Sequence, residues 1–451
     1  VASDTAAAEG SPGRGFRRFV DIRQGEGALI AWAGLYIFAL MTAYYVLRPI
    51  RDAMGVEGGI ENLPWLFTAT LVAMIVLNPL YAALVRRLPS RSLIPVVYLF
   101  FVVNLAAFGL AAHFAAPEQL VWVGRFFFIW LSVFNLFVVS VFWTLMVDLF
   151  DSGQAKRLFG FLAAAATLGA TLGSTIAAAL AKALSTAAMM SVAAALLLVA
   201  VACVARIVRL ARDMPSRTAD LEREAIGGGL WAGLTRVARS PYLINIGLYI
   251  LFYAVTSTFL YFQQAEIAKN AFADRGTRTA FFASVDLAVN VLTLFVQVFL
   301  TSGVLRRFGV AKAAAALPLL TLFGFAALAV APTITAIVVF QVLRRVGNFG
   351  LAKPTRELMF TVLSREDKYK AKNVVDTVVY RLGDQVGSWS YALLGAFGLG
   401  VAGVALAALP IAAAWLVNGY WLGARQEAMA KSAPRTASSS RDGASPADLN
   451  S

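Results

Sequence analysis

The chain has 451 residues, of which 59% are apolar and only 14% charged, with a mean hydropathy of +0.72; an average soluble domain carries roughly 25% charged residues. That balance excludes a soluble globular protein. The formal net charge of +14 would suggest a nucleic-acid partner in a soluble chain, but the cations cluster in short loops between apolar runs, as the positive-inside rule produces, so no nucleic acid is expected. One cysteine, Cys203, and one histidine, His113, exclude a disulfide framework and a His/Cys metal cluster. Cys203 reads as packing and His113 as interfacial, and no metal or cofactor is expected.

Apolar runs of about twenty residues recur from end to end, each long enough to cross a hydrocarbon core of roughly 30 Å. The reading is an all-α membrane protein with about twelve transmembrane helices over 27–47, 63–85, 93–114, 119–147, 158–181, 186–208, 241–265, 280–303, 313–331, 334–353, 374–397 and 402–422. No cleavable signal peptide is expected, because the first apolar run is long and follows a basic start. Arg14, Arg17, Arg18 and Arg23 precede the first span. Arg86, Arg87 and Arg91 follow the second, Lys156 and Arg157 the fourth, and Arg306, Arg307 and Lys312 the eighth. Further arginines fill the central loop. This alternation predicts that both termini lie in the cytoplasm. The expected organisation is a cytoplasmic tail 1–26, a six-helix bundle 27–208, a cytoplasmic loop 209–240, a second six-helix bundle 241–422 and a disordered tail 423–451.

The two halves resemble each other. Leu84-Val85-Arg86-Arg87-Leu88 recurs as Val304-Leu305-Arg306-Arg307-Phe308, and the same displacement carries Arg125 onto Arg345. Ala155-Lys156 recurs as Ala371-Lys372 at a slightly shorter displacement. Two related six-helix halves joined by a cytoplasmic loop are the major facilitator 6+6 architecture, with the site between the halves near the midplane. Gly303-x-x-x-Arg307-Phe308-Gly309-x-x-Lys312 resembles the loop motif of that superfamily, and the first-half copy has Pro89 where glycine is expected.

Charge inside a bilayer costs about 2.5–3.5 kcal/mol per residue on the insertion scale, so it faces a cavity or a partner. Several positions meet that condition. Arg48 and Arg51, three apart near the end of span one, share a helix face; they either cap the span at the outer surface or bind a substrate, and Pro49 between them is a candidate kink. Arg125 in span four and Arg344 and Arg345 in span ten lie too deep to snorkel far. Their planar forks suit phosphate or carboxylate, and the alternative is structural pairing with Asp286, Asp376 or Asp384. Span eight carries Asp286, Asn290, Thr293 and Gln297 on one face. Span eleven carries Asp376, Tyr380 and Asp384 on one face, with Arg381 and Gln385 alongside. These stripes line a cavity or a neighbouring helix, the cavity being the expectation, and Tyr380 is placed to stack on a ring. Gly169-x-x-x-Gly173 in span five reads as close helix packing.

Residues 353–384, KPTRELMFTVLSREDKYKAKNVVDTVVYRLGD, resemble the span ten–eleven region of the ATP/ADP translocase family, the nucleotide exchangers of plastids and intracellular bacteria, and are more similar to that family's relatives in free-living bacteria. LRPIRD at 47–52 and FWTLMVDLFDSGQAKRLFG at 142–160 match the same family. The resemblance implies roles in nucleotide exchange for Arg51, Asp148, Arg356, Glu357, Lys370, Lys372 and Asp376. The chain departs from the exchangers in having Arg51 where lysine is usual, Asp148 where glutamate or glutamine is expected, and Tyr261 where an acid stands.

The expected function is therefore secondary transport of an organic, phosphate-bearing anion, with ATP/ADP antiport as the type, by a monomer embedded in the bilayer and without enzyme chemistry. Arg48, Arg51, Arg125, Arg344, Arg345, Arg356, Lys370, Lys372 and Tyr380 are the candidate substrate contacts. Asp148, Asp286, Asn290, Asp376, Arg381 and Asp384 are the candidate coupling or polar cavity residues. The alternative is a proton-coupled exporter of another metabolite or a siderophore, with a buried aspartate as the coupling site.

Overall fold

A computed structural model describes residues 26–87, 90–150, 152–212, 235, 237–364, 371–372 and 374–432. Residues 1–25 and 433–451 of the expected tails, most of the central loop and Lys370 lie outside these residues. Among the described residues every regular element is helical: α1 Glu26–Glu57, α2 Leu63–Arg87, α3 Ser90–Phe114, α4 Pro117–Leu149, α5 Ser152–Leu180, α6 Thr186–Arg212, α7 Pro241–Ala271, α8 Arg275–Phe299, α9 Thr301–Val330, α10 Ile334–Gly347, α11 Tyr380–Ala396 and α12 Val401–Ser432. α10 continues through a π-helical turn, Asn348–Ala352, into a short helix, Lys353–Met359, and a second π-helical turn, Val375–Val379, leads into α11. Among the described residues eleven helical segments are long and apolar enough to cross a membrane. α11, at 17 residues, is shorter and more polar, and it packs among them against α7 and α2.

Three boundaries differ from the sequence reading, each for a local reason. α1 does not stop near residue 47. It runs on to Glu57, with Pro49, Ile50, Asp52 and Ala53 buried, because the charges beyond the apolar run find partners inside the protein. Residues 304–312, expected as a loop, are helical apart from a break at Gly309, where φ is 75°, a left-handed value that glycine adopts without steric cost. α12 runs past its expected end at 422, so residues 423–432 are not part of a disordered tail. Its Glu427 accepts from the backbone N–H groups of Val310 and Ala311 at 2.6 and 3.0 Å, satisfying the orphan donors where α9 restarts. Outside the spans, Asp274 caps α8 by accepting from Thr277 N at 2.7 Å; the Thr277 side chain and backbone hold its carboxyl below the usual carboxylate range.

Gly169 and Gly173 face the backbone of α1. A Cβ on either would run into the carbonyl oxygen of Phe38 or Thr42, so α5 lies against α1 as the small-residue spacing predicts. Helices α1 and α3–α6 share an apolar core in which Tyr36, Tyr98, Phe134 and Phe142 are fully buried. Among the described residues three further clusters belong mainly to α7–α12. One, around Phe259, Phe262, Phe325 and Phe340, also takes in Ala53, Val56, Leu63, Leu66 and Phe128 from α1, α2 and α4. The two sets of helices therefore interlock at the end where α1 finishes. There Arg275 at the start of α8 pairs with Glu57 of α1 at 2.6 Å.

Candidate functional site

A cavity of about 360 Å³ lies between α1, α2 and α4 on one side and α7, α10 and α11 on the other. Its wall carries five arginines, Arg48, Arg51, Arg344, Arg345 and Arg381, together with Asp384, Gln341, Gln385 and the hydroxyls of Thr70, Ser132, Ser257 and Thr258. Aromatic rings from Tyr44, Phe67, Phe128, Tyr253, Tyr261, Phe349 and Tyr380 complete it. A polar floor with ring-bearing walls suits an organic anion: guanidinium donors for the charged end and π-faces for a ring.

The acids around the cavity do not cancel the arginines. Arg51 pairs with its neighbour Asp52 through two contacts, at 2.6 and 3.0 Å, and lies over the Phe128 ring. Asp52 also accepts from the Tyr261 hydroxyl at 3.1 Å. A single oxygen of Asp286, on α8, receives both Arg345 at 2.6 Å and Arg48 at 3.3 Å. Arg381 pairs with Asp384 at 3.3 Å, three residues on. Five guanidiniums thus share three carboxylates, and two positive charges remain.

Arg344 has no carboxylate partner among the described residues. It is 2% exposed. Its guanidinium donates to Ser257 Oγ at 2.7 Å, Thr256 Oγ1 at 2.8 Å, Tyr253 O at 3.1 Å and Thr321 Oγ1 at 3.2 Å, and it lies near the faces of Tyr253 and Trp415. Burying a charge costs several kcal/mol after relaxation. Neutral acceptors and π-faces offset part of that cost without removing the charge. The cationic field of Arg344 therefore remains available to the cavity.

Both second-half helices that supply arginines carry a π-helical turn next to the lining residues: Asn348–Ala352 comes after Arg345, and Val375–Val379 precedes Tyr380. Such turns recur at functional sites, and the extra residue rotates the next helical segment by about 100° relative to an uninterrupted α-helix. This explains why the expected stripe on span eleven divides. Tyr380, Arg381, Asp384 and Gln385 line the cavity. Asp376, inside the turn, instead meets Arg356 at 3.3 Å.

Other expected residues also sit elsewhere. Arg125 does not reach the cavity: it donates to Gly58 O at 3.2 Å, past the end of α1, and stacks on Trp122. The sequence equivalence of Arg125 and Arg345 is thus not an equivalence of role. Arg356 and Lys372, grouped with the substrate contacts, do not line the cavity either; Lys372 pairs with Glu357 at 2.5 Å on the surface. Along a helix axis Arg356 lies about 16 Å beyond Arg345. The span-eight stripe faces neighbouring helices rather than open space. Asn290 donates to Ser174 Oγ of α5 at 3.2 Å and Gln297 to Phe349 O at 3.2 Å, while Thr293 is buried. The backbone of Asp148 lies in α4, and its side chain falls outside the described residues, as does Lys370.

The sequence reading missed the contribution of α7. Tyr253, Ser257, Thr258 and Tyr261 all face the cavity, and Thr256 holds Arg344. The signal was the Thr256-Ser257-Thr258 run in the middle of an apolar span, where hydroxyls must find a partner. Gln341, one turn before Arg344 and Arg345, is a second such signal; it donates to Gln264 at 2.5 Å and borders the cavity.

Residues 120–426 match the family described as TLC ATP/ADP transporter, more than half of the chain. Among curated proteins the chain is similar to ADP,ATP carrier protein 1 of Chlamydia trachomatis, with 26% identity over 170 residues covering 33% of this chain and 32% of that one. The Chlamydia pneumoniae protein of the same name is 24% identical over 206 residues, 40% of each chain. The matched region thus spans 32–40% of the length of these relatives. Among solved structures the fold is similar to that of the POT family transporter PepTSo, with TM-score 0.56 at 14% identity over 91% of this chain and 99% of that one. It is also similar to the nucleoside transporter NupG, with TM-score 0.53 at 13% identity over 91% and 100%. At such identities the likeness is one of fold, the major facilitator architecture expected from the sequence.

Proposed function

The chain belongs to the TLC ATP/ADP transporter family, and from that premise we propose that it carries a phosphate-bearing organic anion across the membrane by alternating access, exchanging one nucleotide for another. The cavity between the two sets of helices is the binding site. The observation that carries this reading is the uncompensated charge: five arginines against three carboxylates, with Arg344 held only by neutral acceptors. A cavity built for a neutral solute or a cation would not retain that excess, because each unneutralised buried cation costs stability in the empty protein.

In this reading Arg51, Arg344 and Arg345 hold the phosphates, with Arg48 beside them, and Tyr380 and Tyr253 face the ring of the base. Each charge-assisted hydrogen bond contributes on the order of 1.5–3 kcal/mol, so two or three account for selective capture of an oligophosphate. Tyr261 adds to the excess by being neutral: an acid there would stand beside Asp52 and reduce the surplus by one. We place the protein in a bacterial inner membrane as a monomer of two six-helix bundles, 27–208 and 241–422, joined by a cytoplasmic loop, with both termini cytoplasmic. The basic residues between the second and third, fourth and fifth, and sixth and seventh spans support that orientation.

Ligand-dependent thermal stabilisation of the purified chain tests the substrate class. A ligand that binds the folded state raises Tm in a concentration-dependent way. ADP and ATP at millimolar concentration are expected to raise it, and vesicles loaded with one nucleotide are expected to take up the other in labelled form. No shift with any nucleotide, alongside a clear shift with an unphosphorylated solute, would overturn the proposal.

A further inference from the structure

We propose that Asp286 is a built-in counter-charge that limits how many negative charges the cavity favours, and so acts as the charge-selecting residue of the site. The inference rests on the reading that the cavity takes a phosphate-bearing anion. Asp286 is 3% exposed and lies behind the wall rather than in it. One of its oxygens receives Arg48 from α1 and Arg345 from α10, so a single carboxylate serves guanidiniums from both sets of helices. The closest contact in each case is made by the Nη1 atom of the arginine. A guanidinium has five N–H donors, so both arginines can bind a ligand without releasing Asp286.

The consequence is electrostatic. With Asp286 ionised the site carries two surplus positive charges, which offset part of the charge of an oligophosphate and set how steeply affinity rises with each added phosphate. Removing the Asp286 charge raises the surplus to three. Removing Arg48 instead lowers it to one, and removing both restores two. A residue that merely tethers α1, α8 and α10 would change the affinity for all anions alike. A charge selector changes the ratio between anions that differ in charge.

The test uses the purified full-length chain and a charge series of inorganic anions, orthophosphate, pyrophosphate and tripolyphosphate, with AMP, ADP and ATP in parallel. Apparent affinities come from thermal-shift titrations. Asp286→Asn is expected to raise the tripolyphosphate-to-orthophosphate affinity ratio by about tenfold or more, as one close unscreened charge allows. Arg48→Gln is expected to lower that ratio, and Asp286→Asn combined with Arg48→Gln to return it to within about threefold of the unmodified protein. If Asp286→Asn alone does not fold, Arg48→Gln and the double variant carry the test. An unchanged ratio in the single variants, or a double variant that fails to restore it, overturns the inference and leaves Asp286 a tether. A failure of the nucleotide reading looks different: the inorganic series shifts Tm and the ratios move as stated, while nucleotides have no effect. No shift with either series in any variant overturns both.

Discussion

Residues 353–384 form one dense run of charge, yet the structure divides it into two regions of opposite character. Up to and within the second π-helical turn, the described charges include two matched pairs, Arg356 with Asp376 at 3.3 Å and Lys372 with Glu357 at 2.5 Å, while Lys353 lies over the Phe349 ring. After it, Arg381 and Asp384 join a cavity wall where arginines outnumber acids. Charge density in the sequence therefore does not mark the site. What marks it is incomplete pairing, because a neutralised pair has little field left for a ligand, whereas an excess of cations attracts an anion and is stabilised by it.

The comparison is broken or sharpened by variants on its two sides. The largest effects are expected at the unpaired wall. Arg344→Gln and Arg345→Gln should each lower transport in vesicles by at least about 100-fold, the equivalent of losing one or two charge-assisted hydrogen bonds to the substrate. Arg345→Gln should leave membrane insertion and yield intact. Arg344→Gln should also lower Tm, because four acceptors lose their common donor. An intermediate effect is expected for Arg356→Gln. Its pair with Asp376 is partly buried, with side chains 13% and 31% exposed, so stability should fall by about 1–2 kcal/mol while nucleotide affinity changes less than threefold. If Arg356→Gln abolished nucleotide binding as completely as Arg345→Gln, the division between the two regions would not hold. The smallest effect belongs to Lys372→Gln and Glu357→Gln, on an exposed pair worth roughly 0–1 kcal/mol. Raising salt to about 1 M, where the Debye length is about 3 Å, should erase the difference between these variants and the unmodified protein in denaturation midpoints.

A second contrast concerns the related halves. Arg125 and Arg345 stand at equivalent sequence positions, yet Arg345 faces the cavity and Arg125 closes over the Gly58 carbonyl at the end of α1. The first half supplies its cations from α1 instead, through Arg48 and Arg51. A repeat preserves helix order and packing; charge can move between helices, because only its arrival at the cavity matters.

Much of the architecture was legible in the sequence, because membrane spans are dictated by length and hydropathy alone: backbone groups in a bilayer have no partner except within a helix. Twelve helices, the tight α1–α5 contact at Gly169 and Gly173, and the family through its span ten–eleven block all come from local pattern. So did the candidacy of Arg48, Arg51, Arg344, Arg345, Tyr380, Arg381 and Asp384, since each is a polar group that a bilayer forces inward.

Tertiary structure alone decided which of those charges are spent on one another. Asp286 lies some sixty residues from Arg345 and far from Arg48 in sequence, yet one of its oxygens serves both. Asp376 shares a nominal helix face with Tyr380 and Asp384, yet a π-helical turn sends it to Arg356. Of the three hydroxyls that leave Arg344 charged without a counter-ion, two come from α7, in the middle of an apolar run, and the third, Thr321, from α9. Hydropathy acts residue by residue and can be read along the chain. Ion pairing acts within a few ångströms in space, and its outcome depends on helix rotation and on which neighbour arrives, which no linear pattern encodes.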